Sequence, residues 1–467
     1  MIIDLEKTNN QQRTTNNVFK SINPYNQSVI AEFQLHSDVA IQKKLDLATS
    51  AYKNWRKESF ANRAVLMNKV AQLLRQNKEE YARTITLEMG KAINEARGEV
   101  EKCASTCEYF ALHSEKILAD IPIATEAKRT YITYQPTGAV FAIMPWNFPF
   151  WQVFRFAVPA IMAGNVTLLK HAPNVCQTSL TIEKIFNEAG FPEGVFQSFI
   201  IDVDKVEGII NHDIVQAVTL TGSEYAGSQV AALAGKYIKK SVLELGGSDP
   251  FIVLADADVE KAAKIASQSR MQNAGQVCIS AKRFIVLEKV KDEFLNHLQK
   301  NIAALIQGNP LDEKNTTGPL ARLDLAEKLE KQMRSTIKHG AHKVIGGERN
   351  GCNFQPTLLD YVKPGMTTFE EETFGPLASI ITVKNEMEAI ELANTSRYGL
   401  SASIWTNDLD RAASLAKEIE AGAVFVNSLV RSDVRWPIGG VKKSGYGREL
   451  AEIGIKEFMN AKSVIMD

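Results

Sequence analysis

The amino-acid sequence predicts an α/β protein with two open, mostly parallel sheets and a small additional β element, and two observations carry that prediction. From Gly138 onward, short apolar runs alternate with helical stretches, the pattern of strands buried on both faces and joined by crossover helices. The alternation breaks at Gly246–Pro250 and then restarts, which places a boundary between two such units there. The length agrees, since 467 residues exceed a single core and suffice for two or three domains.

Residues 1–20 are rich in Asn, Gln and Thr and are expected to form a loose lead-in. Asn23-Pro24-Tyr25-Asn26 reads as a turn between two short strands ending near Phe33. Ser37 is the expected cap of a first helix with Val39, Leu45, Ala48 and Trp55 on its apolar side. A second helix is predicted over residues 60–89, stopping at Gly90, because glycine takes the left-handed conformation that closes helices. A third covers residues 94–118 and carries Cys103 and Cys107 one turn apart. Residues 120–136 turn to alternating β-branched character, an exposed strand pair. Buried strands are then expected at 139–143, 166–169, 195–200, 215–220 and 242–245, with helices between them. The second unit reads as strand 251–254, helix 258–272, strand 283–287, helix 290–306 and strands 380–383, 402–405 and 424–426.

Composition removes several function classes. Lys plus Arg equals Asp plus Glu at 54 each, so charge gives no reason to expect nucleic acid or an anionic membrane as a partner. The five cysteines are odd in number and thinly spread, which suggests a reducing compartment and matches no metal-ligand spacing. The first residues lack the basic flank and apolar core of a signal peptide. Pro145, Asn147, Pro149, Arg155 and Pro159 interrupt the most apolar region before it reaches a membrane-spanning length. A soluble, cytoplasmic protein is expected.

The chemistry concentrates between Leu243 and Cys278. Glu244-Leu245-Gly246-Gly247 opens this stretch and Gly275-Gln276-Val277-Cys278 closes it, with glycines that allow sharp turns and close approach. A thiolate can hold a carbonyl carbon as a hemithioacetal or thioester, and a carboxylate can activate the water that hydrolyses it. Neither residue means much alone, because a lone Cys is more often a small buried hydrophobe. Asn147 lies just past the first buried strand, between Pro145 and Pro149, where two prolines can hold its amide still as a donor. Gly222 and Ser223 follow strand 215–220 at a helix start, where free backbone N–H groups can meet a phosphate. Lys170 ends the second strand, within reach of a ribose or phosphate beyond the sheet.

Seven motifs, in order and over nearly the whole chain, resemble the NAD(P)-dependent aldehyde dehydrogenase superfamily. They are Pro145-Trp146-Asn147-Phe148-Pro149, Thr221-Gly222-Ser223, Leu243-Glu244-Leu245-Gly246-Gly247 and Gly275-Gln276-Val277-Cys278. Glu372-Thr373-Phe374-Gly375-Pro376, Asn394 with Tyr398-Gly399-Leu400, and Pro437-Ile438-Gly439-Gly440 leading to Ser444-Gly445 complete the set. Lys170–Val175 and Glu244–Pro250 look most like the shorter bacterial succinate-semialdehyde dehydrogenases. The resemblance implies an aldehyde dehydrogenase-like α/β fold with a Rossmann-like cofactor domain (1–117 and 137–246) and a catalytic domain (247–440). Residues 118–136 and 441–467 are the implied oligomerisation element, hence a homodimer or homotetramer.

The resemblance also implies roles. Cys278 is the nucleophile, Asn147 donates to the oxyanion beside the Cys278 N–H, and Glu244 is the base for deacylation. Lys170 and Glu372 are expected at the ribose hydroxyls, Phe374 near the nicotinamide with Trp146 in the same cleft, and Gly222 and Ser223 at the pyrophosphate. Pro173 stands where many NAD-preferring relatives carry a Glu that excludes a 2′-phosphate, so NAD is expected to be preferred and NADP tolerated. No metal is expected. Arg155 and Arg283 match carboxylate-binding arginines of succinate-semialdehyde dehydrogenases, a task suited to a planar fork, although each alone reads equally as a structural ion pair. Ser432 is expected to add a hydrogen bond, while neighbouring Arg435 and Trp436 depart from the family pattern. The expected reaction oxidises a short aldehyde with a carboxylate at its far end, succinic semialdehyde above all. Other readings stay open: an aldehyde dehydrogenase of different or broad specificity, an acylating relative using coenzyme A, and a non-catalytic binding protein on the same scaffold. A cofactor-free thiol hydrolase is the weakest, as no His falls within these motifs.

Overall fold

The computed structural model describes residues 17–467; residues 1–16 of the expected lead-in lie outside it, and Val18–Ile22 is already a strand. That strand pairs antiparallel with Val29–Gln34 across the expected turn, where Asn23 Oδ1 accepts the Tyr25 N–H at 2.9 Å. Ser37 caps helix Asp38–Trp55 by accepting the Ala40 N–H at 3.3 Å. Its buried side is Ile41, Leu45, Ala48 and Trp55, whereas Val39, placed there by sequence, is exposed. The single helix expected over 60–89 is two, Phe60–Gln76 and Lys78–Met89, because Asn77 leaves helical geometry (φ −107°, ψ 23°). Gly90 ends the second with φ 81°. Helix Ile93–Ile117 follows, with Cys103 and Cys107 buried on it.

Two sheets then organise the chain. The first has the order Gly445–Tyr446, Lys240–Glu244, Val215–Thr221, Ala139–Met144, Val166–His171, Phe196–Ser198. All its pairs are parallel except the edge strand Gly445–Tyr446. Strand order reverses at Ala139–Met144, flanked by Val166–His171 on one side and Val215–Thr221 on the other, and ligands bind at such a switch point beyond the carboxyl ends. The second sheet has seven strands, in the order His342–Ile345, Thr357–Asp360, Leu377–Val383, Ala281–Leu287, Asp249–Val253, Ser401–Trp405, Ala423–Val426. Only His342–Ile345 runs antiparallel to its neighbour. Each sheet has its own apolar core, around Phe141, Leu168 and Val218 in the first and Phe251, Ile285 and Ile380 in the second.

A third, small sheet pairs Met459–Met466 with Arg129–Pro136, and Arg129–Pro136 with Ile121–Pro122. Residues 441–467 are thus divided, Gly445–Tyr446 joining the first large sheet and Met459–Met466 this one. Helices Leu323–Lys338, Glu386–Asn394 and Leu409–Glu418 and strands His342–Ile345 and Thr357–Asp360 were not expected from sequence. Among the described residues, no helix is long and apolar enough to cross a membrane. What positions the site is a polarity difference between the sheets. Glu244 ends a strand of the first, whereas Cys278 precedes strand Ala281–Leu287 of the second.

Candidate active site

Cys278 follows a turn that ordinary residues resist. Asn273, Ala274 and Gly275 all have positive φ, at 51°, 50° and 72°, a strained conformation for residues with a Cβ. At Gly275 a Cβ would lie 2.2 Å from the Gly375 carbonyl oxygen, so glycine alone fits. Hydrogen bonds hold the turn in place. Asn273 Nδ2 donates to the Asn147 carbonyl at 2.8 Å, and the Gln276 side chain accepts the Ala321 N–H at 2.9 Å. Lys282 reaches back from the strand, donating to the Val277 and Cys278 carbonyls at 3.1 and 2.6 Å and pairing with Glu372 at 3.5 Å. Arg270 donates to the carbonyls of Leu377 (2.8 Å), Thr373 (2.9 Å) and Gly375 and to the Ser280 hydroxyl. The turn before Cys278 and the Glu372–Pro376 loop are therefore braced as one unit.

Asn147 comes from the first sheet and bridges to the second. Its side-chain amide is buried and donates to the Gln276 carbonyl at 3.0 Å, which fixes the group while leaving a second N–H. His171 braces the same loop, with Nε2 2.8 Å from the Pro149 carbonyl and Nδ1 accepting the Ala172 N–H at 3.0 Å. Burial lowers this imidazole to about 4, so it is neutral and donates through Nε2. Helix Trp151–Met162 begins without a side-chain cap of its own. Glu99 supplies one, accepting the N–H groups of Phe150 and Trp151 at 2.9 Å while paired with the buried Lys91.

Glu244 is buried, and neither carboxylate oxygen accepts a hydrogen bond among the described residues. The Arg155 guanidinium lies 3.8 Å away, pairs also with Glu449, and donates to Thr221 Oγ1 at 3.2 Å. Burial raises the Glu244 carboxyl above the usual carboxylate range, with Arg155 opposing. Burial likewise pushes the Cys278 thiol up to about 12, the Arg155 charge pulling it back and Glu244 adding to the rise. The resting sulfur is therefore a thiol, and its proton must leave as it attacks.

The expected cofactor residues lie on the first sheet's strand ends and on the Glu372–Pro376 loop. Lys170 is buried near the end of strand Val166–His171, and Pro173 opens the short turn after it. Glu372 accepts the Gly247 N–H at 3.0 Å, and a Cβ on Gly246 would lie 2.6 Å from Glu372 Oε2, so these glycines cradle the carboxylate. Trp146 and Phe374 meet edge to face at 5.8 Å. Gly222 donates its N–H to the Glu244 carbonyl at 3.0 Å, and the Ser223 hydroxyl caps helix Glu224–Lys236 by accepting from Ala226 at 3.2 Å. The Gly222 N–H is therefore taken, while the Ser223 hydroxyl keeps its own hydrogen to donate; the pair forms a turn into a helix start, whose partial positive charge suits a phosphate. A buried ammonium, a cradled carboxylate and two aromatic rings near a thiol fit the phosphate, ribose and nicotinamide parts of a dinucleotide.

On the other side, Cys278 opens into a cavity of ≈ 370 Å³ walled by Trp151, Arg155, Glu95, Lys102 and Ser432 among others. Arg155 and Ser432 were expected there. Arg283 was expected and is not: its buried guanidinium donates to the carbonyls of Ser248, Leu392 and Ala393 at 2.9, 2.7 and 2.9 Å. The strand carries residue 283 away from the thiol, and its charge closes the carboxyl end of helix Glu386–Asn394, where carbonyls lack partners. Arg283→Met is expected to destabilise the fold by roughly 2–4 kcal/mol, as three buried carbonyls lose a charged donor. Urea unfolding checks this. Undiminished stability with a selective loss on carboxylate-bearing aldehydes would return Arg283 to the substrate.

Sequence reading missed Lys102, His171, Lys282, Glu99 and Glu449. Lys282 carried a visible signal, a lysine leading into an apolar strand. The others belong to no local pattern and meet their partners only in the fold.

Residues 10–464 match the model of the Aldehyde dehydrogenase family. A probable NADP(+) succinate-semialdehyde dehydrogenase of Synechocystis sp. is 49% identical over 447 residues, 95% of this chain and 98% of that protein. An NAD(P)+ succinate semialdehyde dehydrogenase of Escherichia coli is 46% identical over 450 residues, 96% of this chain and 97% of that one. The solved structure of succinic semialdehyde dehydrogenase from Streptococcus pyogenes, in complex with NADP+, matches with a TM-score of 0.94 at 38% identity. That match covers 96% of this chain and 99% of the other. Matched by that model over residues 10–464 and by relatives of this identity over nearly their whole length, the chain belongs to the aldehyde dehydrogenase family.

Proposed function

We propose that this chain oxidises succinic semialdehyde to succinate with NAD(P)+ through covalent chemistry at Cys278. The observation that carries the carboxylate is that Cys278, Arg155 and Ser432 line one cavity; the names of the relatives agree. In this reading the Cys278 sulfur attacks the aldehyde carbon as its proton leaves to solvent, and Glu244, whose raised affinity for protons suits a base near neutral pH, is kept for the second half of the reaction. Asn147 Nδ2 and the Cys278 N–H donate to the oxygen that becomes charged. The nicotinamide, when bound, supplies the hydride acceptor that turns the adduct into a thioester. Glu244 then takes a proton from the water that releases succinate, and Arg155 holds that carboxylate in place. Unbonded oxygens on Glu244 favour hydrolysis over transfer to coenzyme A.

Position 173 bears no carboxylate, so a 2′-phosphate meets no like charge there, and Lys170 stands near it in sequence with a positive one. The expected NAD preference finds no support in relatives named for NADP(+) or NAD(P)+. We therefore read NADP as serving at least as well as NAD. Paired kinetics test both parts. Succinic semialdehyde should exceed butanal in kcat/KM by at least roughly 100-fold, with NADP at least equal to NAD. Equal rates for the two aldehydes would end the carboxylate reading, and strict NAD dependence the cofactor reading.

The wider reading is a cytoplasmic homodimer or homotetramer. The sheet of Ile121–Pro122, Arg129–Pro136 and Met459–Met466 is its contact element, supported by the exposed apolar side chains of Ile121 and Ile465. The two apolar cores support assigning residues 1–117 and 137–246 to the cofactor and residues 247–440 to the catalytic unit.

A further inference from the structure

The cavity in front of Cys278 has four cations on its wall, Lys91, Lys102, Arg155 and Arg431, and their partners differ. Lys91 is paired with Glu99, both buried. Arg155 is shared between Glu449 and Glu244. Arg431 is exposed at the rim, over the Trp436 ring. Lys102 is the exception. Among the described residues it has no carboxylate at ion-pair distance; its ammonium donates to Ser432 Oγ at 2.7 Å and sits 4.0 Å from the centre of the Trp151 ring. An ammonium held by a hydroxyl and a ring face, in a partly desolvated wall, lacks its counter-charge. The acids lining the same cavity do not supply it. Glu99 is neutralised by Lys91, and Glu95, turned to the Asn273 N–H at 2.9 Å, is raised by burial to about 7.

We propose that Lys102, with Ser432 beside it, is the specificity-determining residue that takes the distal carboxylate of the aldehyde. This rests on the carboxylate-bearing substrate proposed above and moves the main recognition charge from the two arginines to a lysine. Arg155, already shared between Glu244 and Glu449, then lends that carboxylate a supporting charge, and Arg283 stands outside the cavity. Trp151 packs its ring against the lysine on the same cavity wall, and the Ser432 hydroxyl adds a second donor to the carboxylate. Burial lowers the Lys102 ammonium to about 8, the cost of a charge that awaits its partner. The groups facing it are Arg155, which adds to that lowering, and Cys103, Asp433 and Glu99, which oppose it.

The test is the ratio of kcat/KM for succinic semialdehyde to that for butanal, in which a general loss of activity cancels. Lys102→Met should lower this ratio roughly 10- to 100-fold, mostly through KM for succinic semialdehyde, and Lys102→Arg should restore much of it. An unchanged ratio in Lys102→Met, with wild type still preferring the charged aldehyde, would overturn the assignment while leaving the substrate reading intact. A wild type without preference would overturn the substrate reading itself. Should Lys102→Met fail to fold, the wild-type pH profile decides. KM for succinic semialdehyde should rise as pH passes above about 8 while that for butanal does not follow. Parallel profiles for the two aldehydes would overturn the proposal.

Discussion

Cys278→Ala is expected to remove nearly all aldehyde oxidation, by at least roughly 10⁴-fold, while the protein still folds and binds dinucleotide. Folding should survive because the side chain is small and the turn that presents it is held by other groups, Lys282 at its carbonyls and Asn273 and Gln276 inside it. Cofactor binding should survive because Glu372 and the Trp146–Phe374 pair make no use of the sulfur. Single-turnover kinetics and fluorescence titration with the dinucleotide check the two halves. Substantial remaining turnover would show that the thiol is not the nucleophile. The weak acidity of the buried thiol adds a second reading on wild type: alkylation by iodoacetamide should be slow at neutral pH and rise steeply in base.

Glu244→Gln should separate the two halves of the reaction. Acylation should slow modestly, and the thioester should then accumulate, giving about one reduced cofactor per active site in a burst before slow turnover. The same carboxylate sets a pH dependence. Its charged form is the base, and burial raises its affinity for protons, so wild-type turnover should climb with pH through the range above an ordinary carboxylate and fall as the group protonates in acid. The limb should be missing in Glu244→Gln. Steady turnover without a burst, or an unaltered pH limb in the variant, would show that another group activates the water.

How far the sequence could be read follows from where each contact partner lies along the chain. Asn147, Glu244, Cys278, Glu372 and Phe374 are legible because each sits in a short motif at a strand end, and strand ends are set by local pattern. Arg283 was misplaced because nearness in sequence was taken for nearness in space. The turn at residues 278–280 leads into strand Ala281–Leu287, of which Arg283 is the third residue, and alternate strand positions face opposite sides. Lys102 was invisible for the complementary reason: its partner Ser432 is 330 positions away, and on its own helix it looks like any solvated lysine. The break at Asn77 escaped because apolar spacing continues across it, while the amphipathic helix Leu323–Lys338 lay in a stretch without strand signals to frame it.

Helix Ile93–Ile117 carries Glu95, Glu99 and Lys102 at spacings of four and three, so all three share one face. Their freedom to change over generations is unequal. Glu99 serves two main-chain amides and Lys91 at once, and losing either member of that buried pair alone strands a charge; the two can drift only together, each mutation conditional on the other. Lys102 is bound by one hydroxyl and one ring, so a lineage can exchange it in a single step without disturbing the frame. The same helix thus joins an inherited constraint to an open site of adaptation, and new aldehyde preferences in descendants of this enzyme should arise first at residue 102.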